Sequence, residues 1–209
     1  MLQLNNIGIR IKGSNIDNYI SITLLDGAFF VLKSKDFDCT KNIVNTIRYK
    51  EYIKNSIMYY NRKKIGVFNK KKYQNDTYIF EDYISSNGDK TISEIFDLYE
   101  KKFNADLKLV ALVYFSLADK SENKIADLSE QEKIFVNAAQ LFFTQKDLWI
   151  INEHIGDINI LDEKYYEKLI GLMAVKCDNG GIIIFMDYKN NSEKIPFGTE
   201  ICIDDYIVQ

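Results

Sequence analysis

LWIINEHIGDIN (148–159) and NGGIIIFMDY (179–188) are the two stretches that decide the fold. The first opens with Leu148, Trp149, Ile150 and Ile151 and runs into a polar turn. The second opens on Gly180 and Gly181 and stays apolar from Ile182 to Phe185. A strand with one wet face would alternate; an unbroken apolar run marks a strand covered on both faces. The charged segment between the two runs has the length of a helix. Together they predict neighbouring parallel strands in an α/β core.

Working outward, the N-terminal segment alternates like strands, first at Leu2, Leu4, Ile7, Ile9 and Ile11, then through Tyr19–Leu24. Asp26-Gly27 is a hairpin turn signal. Phe29–Leu32 follows as a short apolar strand, and Ile43, Val44 and Ile47 suit a helix beginning near Thr40. Residues 49–77 read as polar, basic and irregular, Tyr78–Phe80 as a short strand, and 85–90 as a loop. Apolar residues then recur at helical spacing over 91–103, 107–117 and 130–143. The expected organisation is a single domain over 1–209 with a helical subdomain at approximately 85–143. Residues 204–209 are a tail or a last strand.

With 209 residues, 46% hydrophobic and 27% charged, the chain can bury one sizeable core. A formal net charge of -3 gives no support for broad nucleic-acid binding. Lys63-Lys64 and Lys70-Lys71-Lys72 read as solvated loop charge and not as a site for anionic lipid or RNA. Cys39, Cys177 and Cys202 are scattered without CxxC spacing, which points to a reducing compartment and not to disulfides or zinc. His154, the only histidine, cannot build a metal centre or a catalytic triad alone. No run approaches a membrane span and no signal peptide is visible, so a soluble chain able to dock on a membrane protein is expected. The single proline and the abundance of Lys, Asn and Ile fit an AT-rich genome, as in an endosymbiont, parasite or organelle.

The order of these segments resembles the ABC-type ATPase family over nearly the whole chain. SITLLDGAFFVLKSKDFDCTKNIV (21–44) sits where that family has two strands, the phosphate loop and its helix. DLSEQEKIFVNAAQL (127–141) sits at the LSGGQ signature, LWIINEH (148–154) at the second Walker motif, and IIIFMDY (182–188) at the strand ending in the switch histidine. Within the family, the Leu148-Trp149 start, the NGGIIIF phrase and the length are most similar to the ATP-binding subunit of the cytochrome c maturation haem exporter, in a strongly degenerate form. The resemblance implies a P-loop NTPase-like core with a mainly parallel sheet, an N-terminal antiparallel β element and a helical subdomain.

Carried over residue by residue, the resemblance also shows what is missing. The family's phosphate loop is GxxGxGK[ST], whose glycines let backbone N–H groups reach the phosphates and whose lysine neutralises charge. Here 34–41 reads SKDFDCTK: no glycine remains, Thr40 stands for the lysine, and Lys41 comes one place late. The stretch reads better as a strand-to-helix turn capped by Asp38 or Thr40. Ser34, Thr40 and Lys41 are the remnant nucleotide-binding positions. At the signature, Leu128-Ser129 persists, but Glu130-Gln131 replaces two glycines. Asn152 replaces the magnesium-associated Asp, Glu153 stands at the water-polarising base, His154 at a proline, and Tyr188 at the switch histidine. Near Glu81 the Gln or His that senses magnesium is absent.

Phosphoryl transfer rests on positioning and charge stabilisation, and one cationic contributor is worth roughly 10³–10⁵ in rate. Losing several such groups together predicts a chain without ordinary ATP turnover. No cofactor is then expected. The function implied by the resemblance is a noncatalytic docking or scaffold subunit of a haem-export membrane complex. It would sit on the cytoplasmic face of a bacterial inner membrane or the matrix face of a mitochondrial one. Its partner would be an integral-membrane permease, with a homodimer or heteromeric complex available and no nucleic acid. Docking would fall on the helical subdomain, its exposed aromatics first. One alternative is an active ATPase with an atypical site built on Glu153, Lys41 and Lys35, using ATP and Mg²⁺. Another is a lineage-specific accessory subunit of a mitochondrial or bacterial membrane assembly.

Overall fold

The computed structural model describes residues 1–9, 18–34, 43–48, 57–66, 68–152, 155–187 and 195–203. These divide into two compact units. The first comprises the described residues within 1–79, 146–152 and 176–209; the second, those within 80–145 and 153–175.

The first unit contains two sheets. Strands β1 (Leu2–Ile9), β2 (Asn18–Leu24), β4 (Ile57–Tyr60) and β5 (Lys63–Lys64) form an antiparallel sheet in the order β2-β1-β4-β5. Its apolar residues alternate, as a one-sided sheet requires. In β1 the alternation breaks between Leu4 and Ile7, and a bulge there takes up the extra residue. Asn6 supplies the left-handed backbone (φ 54°), so Leu2, Leu4 and Ile7 all stay on the buried face.

The second sheet has the order β6-β7-β8-β3-β9, with every pairing parallel. Its strands are β3 (Phe29–Lys33), β6 (Thr77–Ile79), β7 (Leu148–Ile151), β8 (Ile182–Asp187) and β9 (Thr199–Cys202). The two deciding runs are direct neighbours, Leu148 opposite Ile182 and Ile151 opposite Phe185, and every residue of both strands is buried. Alternate residues of the parallel sheet (Phe30, Leu32, Ile150, Ile184, Met186) join Leu2, Leu4, Ile22 and Met58 of the antiparallel sheet in one core. Ile43 and Ile47, from the helical stretch α1 described over 43–47, and Tyr73 of α2 (Lys70–Asp76) complete it.

Two expectations need correction here. Asp26-Gly27 is a turn, with Gly27 at φ 81° and Ala28 N–H donating to the Leu25 carbonyl, but it does not make a hairpin. β2 pairs with β1 and β3 with β8 and β9, because Phe29–Leu32 are buried on both faces and belong inside the parallel sheet. Residues 49–77 are not irregular where described: β4 and β5 form a hairpin through Asn61 and Arg62, both at positive φ (49° and 63°), and α2 follows. β9 is a strand that its four mixed residues, Thr199–Cys202, are too few to announce.

The second unit is helical. It holds α3 (Ile92–Phe103), α4 (Lys108–Tyr114), α5 (Glu130–Ala138), α6 (Gln140–Phe143) and most of α7 (Glu163–Asp178). The apolar stretch 130–143 is therefore two helices joined at Ala139. Thr91 and Glu94 form a capping box at the start of α3, and Asn104 closes it in the left-handed region (φ 50°). The core is aromatic: Phe96 packs edge-on to Phe143, Phe115 to Phe135, and Tyr83 to Tyr99. α7 ends in a Schellman motif, Gly180 N–H to the Cys177 carbonyl and Gly181 N–H to that of Lys176, with Gly180 at φ 82°. The NGG phrase ahead of β8 is thus the stop signal of a helix.

Candidate functional site

Because all five strands of the second sheet run the same way, their carboxyl ends share one edge. In open α/β sheets the crevice outside that edge is where ligands bind. Ser34 leaves β3 there and Asn152 leaves β7, with β8 between them. Ser34 is buried at 4% exposure, and its N–H donates to the Asp187 carbonyl at 3.3 Å. Asn152 is half-buried. The fold therefore brings two of the residues singled out from the sequence to one edge. Lys35, Thr40, Lys41, Glu153, His154 and Tyr188 lie outside the described residues, as does the loop expected over 35–40.

The described chemistry of this edge is neutral to acidic. Asp187, at the end of β8 and opposite Lys33, is a buried carboxylate with 2% exposure. The sequence signal for it, an Asp closing an apolar run in IIIFMDY, was available but not singled out. Lys33, one residue before Ser34, is ion-paired with Glu200 of β9 at 2.9 Å. Among the described residues no group of three or more His, Cys, Asp or Glu is placed to hold a metal ion. Ser34, Asn152 and Asp187 do not supply the unpaired cation a triphosphate needs.

The signature positions lie in the helical unit. Leu128 is buried and Ser129 is the N-cap of α5. Glu132 N–H donates to Ser129 Oγ (3.3 Å), while Ser129 N–H and Oγ both donate to Glu132 Oε2 (2.9 and 2.8 Å). Lys120 donates to the other oxygen of the same carboxylate. That hydrogen bond, with those from Ser129, holds the Glu132 carboxyl below the ordinary glutamate range despite its burial. Glu130 pairs with Lys133 at 2.9 Å, and Gln131 accepts from the Asp162 N–H at 2.9 Å. The start of α5, whose free N–H groups favour an anion, is thus served by the chain's own carboxylate. The S-x-x-E spacing at 129–132 was the legible signal for it.

After β6 the chain is held by two buried polar residues, Asn137 and Gln140, from the helical stretch expected over 130–143. Gln140 Nε2 donates to the Glu81 carbonyl (2.9 Å), and its Oε1 accepts from the Glu81 N–H (3.2 Å). Asn137 Oδ1 accepts from the Tyr83 N–H at 3.3 Å and from Gln140 Nε2 at 3.1 Å. The Glu81 side chain itself pairs with Lys102 at 2.8 Å.

α4 is the exposed apolar element of this unit. Leu109, Val110 and Val113 are 77%, 57% and 71% exposed, whereas Ala111 and Leu112 are buried. Both ends are tied down. Glu100 accepts from the Leu107 N–H at 2.7 Å, Lys168 Nζ donates to the Tyr114 carbonyl and Ser116 Oγ (2.6 Å each), and Tyr114 OH donates to the Lys168 carbonyl (2.9 Å). The expectation of exposed aromatics is corrected: the large apolar side chains exposed among this unit's described residues are aliphatic, because the rings fill its interior. No helix among the described residues is long and apolar enough to cross a membrane.

Strand order, the parallel sheet flanked by an antiparallel one, and the helices α3 to α6 between β6 and β7 in the chain together define the fold of an ABC-type ATPase domain. A putative ABC transporter ATP-binding protein from Pyrococcus furiosus superposes with a TM-score of 0.75 at 11% identity, over 99% of each chain. A dimeric ATP-binding cassette in a post-hydrolysis state, bound to ADP and Pi, gives 0.65 at 15% identity over 91% and 89%. In sequence the chain is similar to the cytochrome c biogenesis ATP-binding export protein CcmA of Rickettsia felis, 25% identical over 93% of this chain and 96% of that one. The same protein of Rickettsia bellii is 26% identical with the same coverage. No family model matches the chain.

Proposed function

We propose that this chain is a noncatalytic, ABC-ATPase-like subunit that docks on the permease of a haem-export, cytochrome c biogenesis complex at the membrane's inner face. The observation that carries the docking is the α4 face. Leu109, Val110 and Val113 stand in water on a short helix fixed at both ends, a surface that membrane-protein partners cover. The Rickettsia relatives, cytochrome c biogenesis ATP-binding export proteins, support the export setting. The glycine-free sequence 34–41, with Thr40 where the family has its lysine, supports the noncatalytic role. Neither ATP nor Mg²⁺ has a part in this reading.

Two measurements test it. Leu109→Asp combined with Val113→Asp should release the protein from membranes carrying the permease while its melting curve stays the same. Glu153→Gln should leave association and biological activity unchanged. Loss of activity in Glu153→Gln, with fold and association intact, would reinstate an ATPase with an atypical site.

A further inference from the structure

The hairpin and short helix of the first unit carry five exposed cations, and the segment joining them carries one exposed ring. Arg62, Lys63 and Lys64 are exposed at the β4–β5 hairpin, and Lys71 and Lys72 are exposed on α2. Asn69 folds the connection between them: its side chain accepts from the Gly66 N–H (2.7 Å) and donates to the Lys64 carbonyl (2.8 Å). Lys63 and Lys72 consequently line one cavity of about 190 Å³ with Tyr60, Asn69 and Asp76. In this connection, next to Asn69, Phe68 is 105% exposed, its whole ring in solvent. Among the described residues Arg62, Lys63, Lys64, Lys71 and Lys72 form no ion pair.

From sequence these lysines read as solvated loop charge. Phe68 changes the chemistry, because a ring held in water beside unpaired ammonium groups suits a surface with anionic headgroups over an apolar interior. We propose that this patch is a direct contact for an anionic lipid surface, with Phe68 entering the acyl boundary and the flanking cations meeting headgroup phosphates. Charge complementarity is local, since the whole chain carries a formal -3. Single-stranded RNA fits less well: stacking of successive bases needs several open rings, and the neighbouring Tyr60 and Tyr73 are buried at 8% and 2%. The lipid contact goes beyond the permease docking of α4 and shares with it only the location at a membrane.

The test is co-sedimentation of the full chain with vesicles of phosphatidylcholine alone and of phosphatidylcholine mixed with phosphatidylglycerol. Binding should require phosphatidylglycerol and weaken with salt. Lys71→Gln with Lys72→Gln should lower the partition coefficient about 25-fold, at about fivefold per charge. Phe68→Ser should lower it about tenfold or more. All three positions are exposed, and unchanged melting curves would show the variants fold. Equal binding to both vesicle types, no binding, insensitivity to Phe68→Ser, or tighter binding to a polyuridine oligomer would overturn the proposal. The vesicles contain no permease, so such a failure leaves the α4 reading standing, just as failure of the α4 variants leaves this one standing.

Discussion

Replacing Gln140 by leucine keeps the side-chain volume nearly constant and removes a set of buried hydrogen bonds. Gln140 has 0% exposure, so water does not replace what is lost. Its amide bridges to Glu81, 59 residues away in sequence, through both backbone groups of that residue, and donates to the Asn137 carbonyl at 2.7 Å. Each of the two bonds to Glu81 contributes about 1 kcal/mol net, and an orphaned buried acceptor on Asn137 costs about 1–3 kcal/mol. The half-exposed surroundings of Glu81 let water recover part of the first term, so about 2–4 kcal/mol is expected. For a chain of this size that is a fall in Tm of roughly 5–12 °C. Circular dichroism melts would read the global loss. Hydrogen exchange at the Glu81 and Tyr83 amides would read the local one, since these donate to Gln140 and Asn137. A Gln140→Leu protein that melts like the parent, with Glu81 still protected, would refute the claim that this pair holds the segment after β6.

Acid should unfold the protein partly through Glu132. Its folded-state pKa is lowered, first by the Lys120 hydrogen bond, so its contribution to stability is present above the ordinary glutamate range and lost as pH falls through the folded value. Urea melts at a series of pH values should therefore show a shallower acid limb in Glu132→Gln. Lys168→Met should cut the tie between α4 and α7 and weaken membrane association without removing any exposed apolar side chain; unchanged association would show that α4 needs no such anchor.

How much of this was legible depends on what each strand buries. β7 and β8 could be read because every residue in them is buried, which leaves an unbroken apolar text. β3 carries the same mark, and it outweighs the hairpin signal of Asp26-Gly27: a turn dipeptide fixes local backbone but does not say which strands pair. The β4–β5 hairpin was hidden because Met58, Tyr60 and Ile65 are its only buried apolar residues and the lysines between them mask the period of two. β9 sits at an edge, half-exposed, and its four residues, TEIC, are too few to show a strand's pattern. Asn137 and Gln140 were missed because buried polar residues follow from partners elsewhere in the fold and not from periodicity. By contrast the two capping boxes, Thr91 with Glu94 and Ser129 with Glu132, are local patterns and were there to be read.

The same distinction between local and assembled chemistry bears on whether ATP binding could be restored by one substitution. Thr40→Lys would return a cation to the position of the family's lysine. A lysine is a point charge on a flexible stem and neutralises phosphate only if the backbone brings the phosphate to it. That backbone needs consecutive N–H groups converging on an anion, with positive-φ freedom that glycine supplies and that Lys35, Asp36, Phe37, Asp38 and Cys39 do not. Asp36 and Asp38 would also face the triphosphate with like charge, and the buried Asp187 lies at the end of the neighbouring strand β8. At an effective dielectric of about 20, one unit charge at 4 Å is worth roughly 4 kcal/mol, so the added lysine is opposed by terms of its own size. Calorimetric titration of Thr40→Lys with ATP and Mg²⁺ should give no saturable heat. A saturable heat from that single change would mean that the loop builds a phosphate cradle without glycine, and the noncatalytic reading would lose its principal physical support.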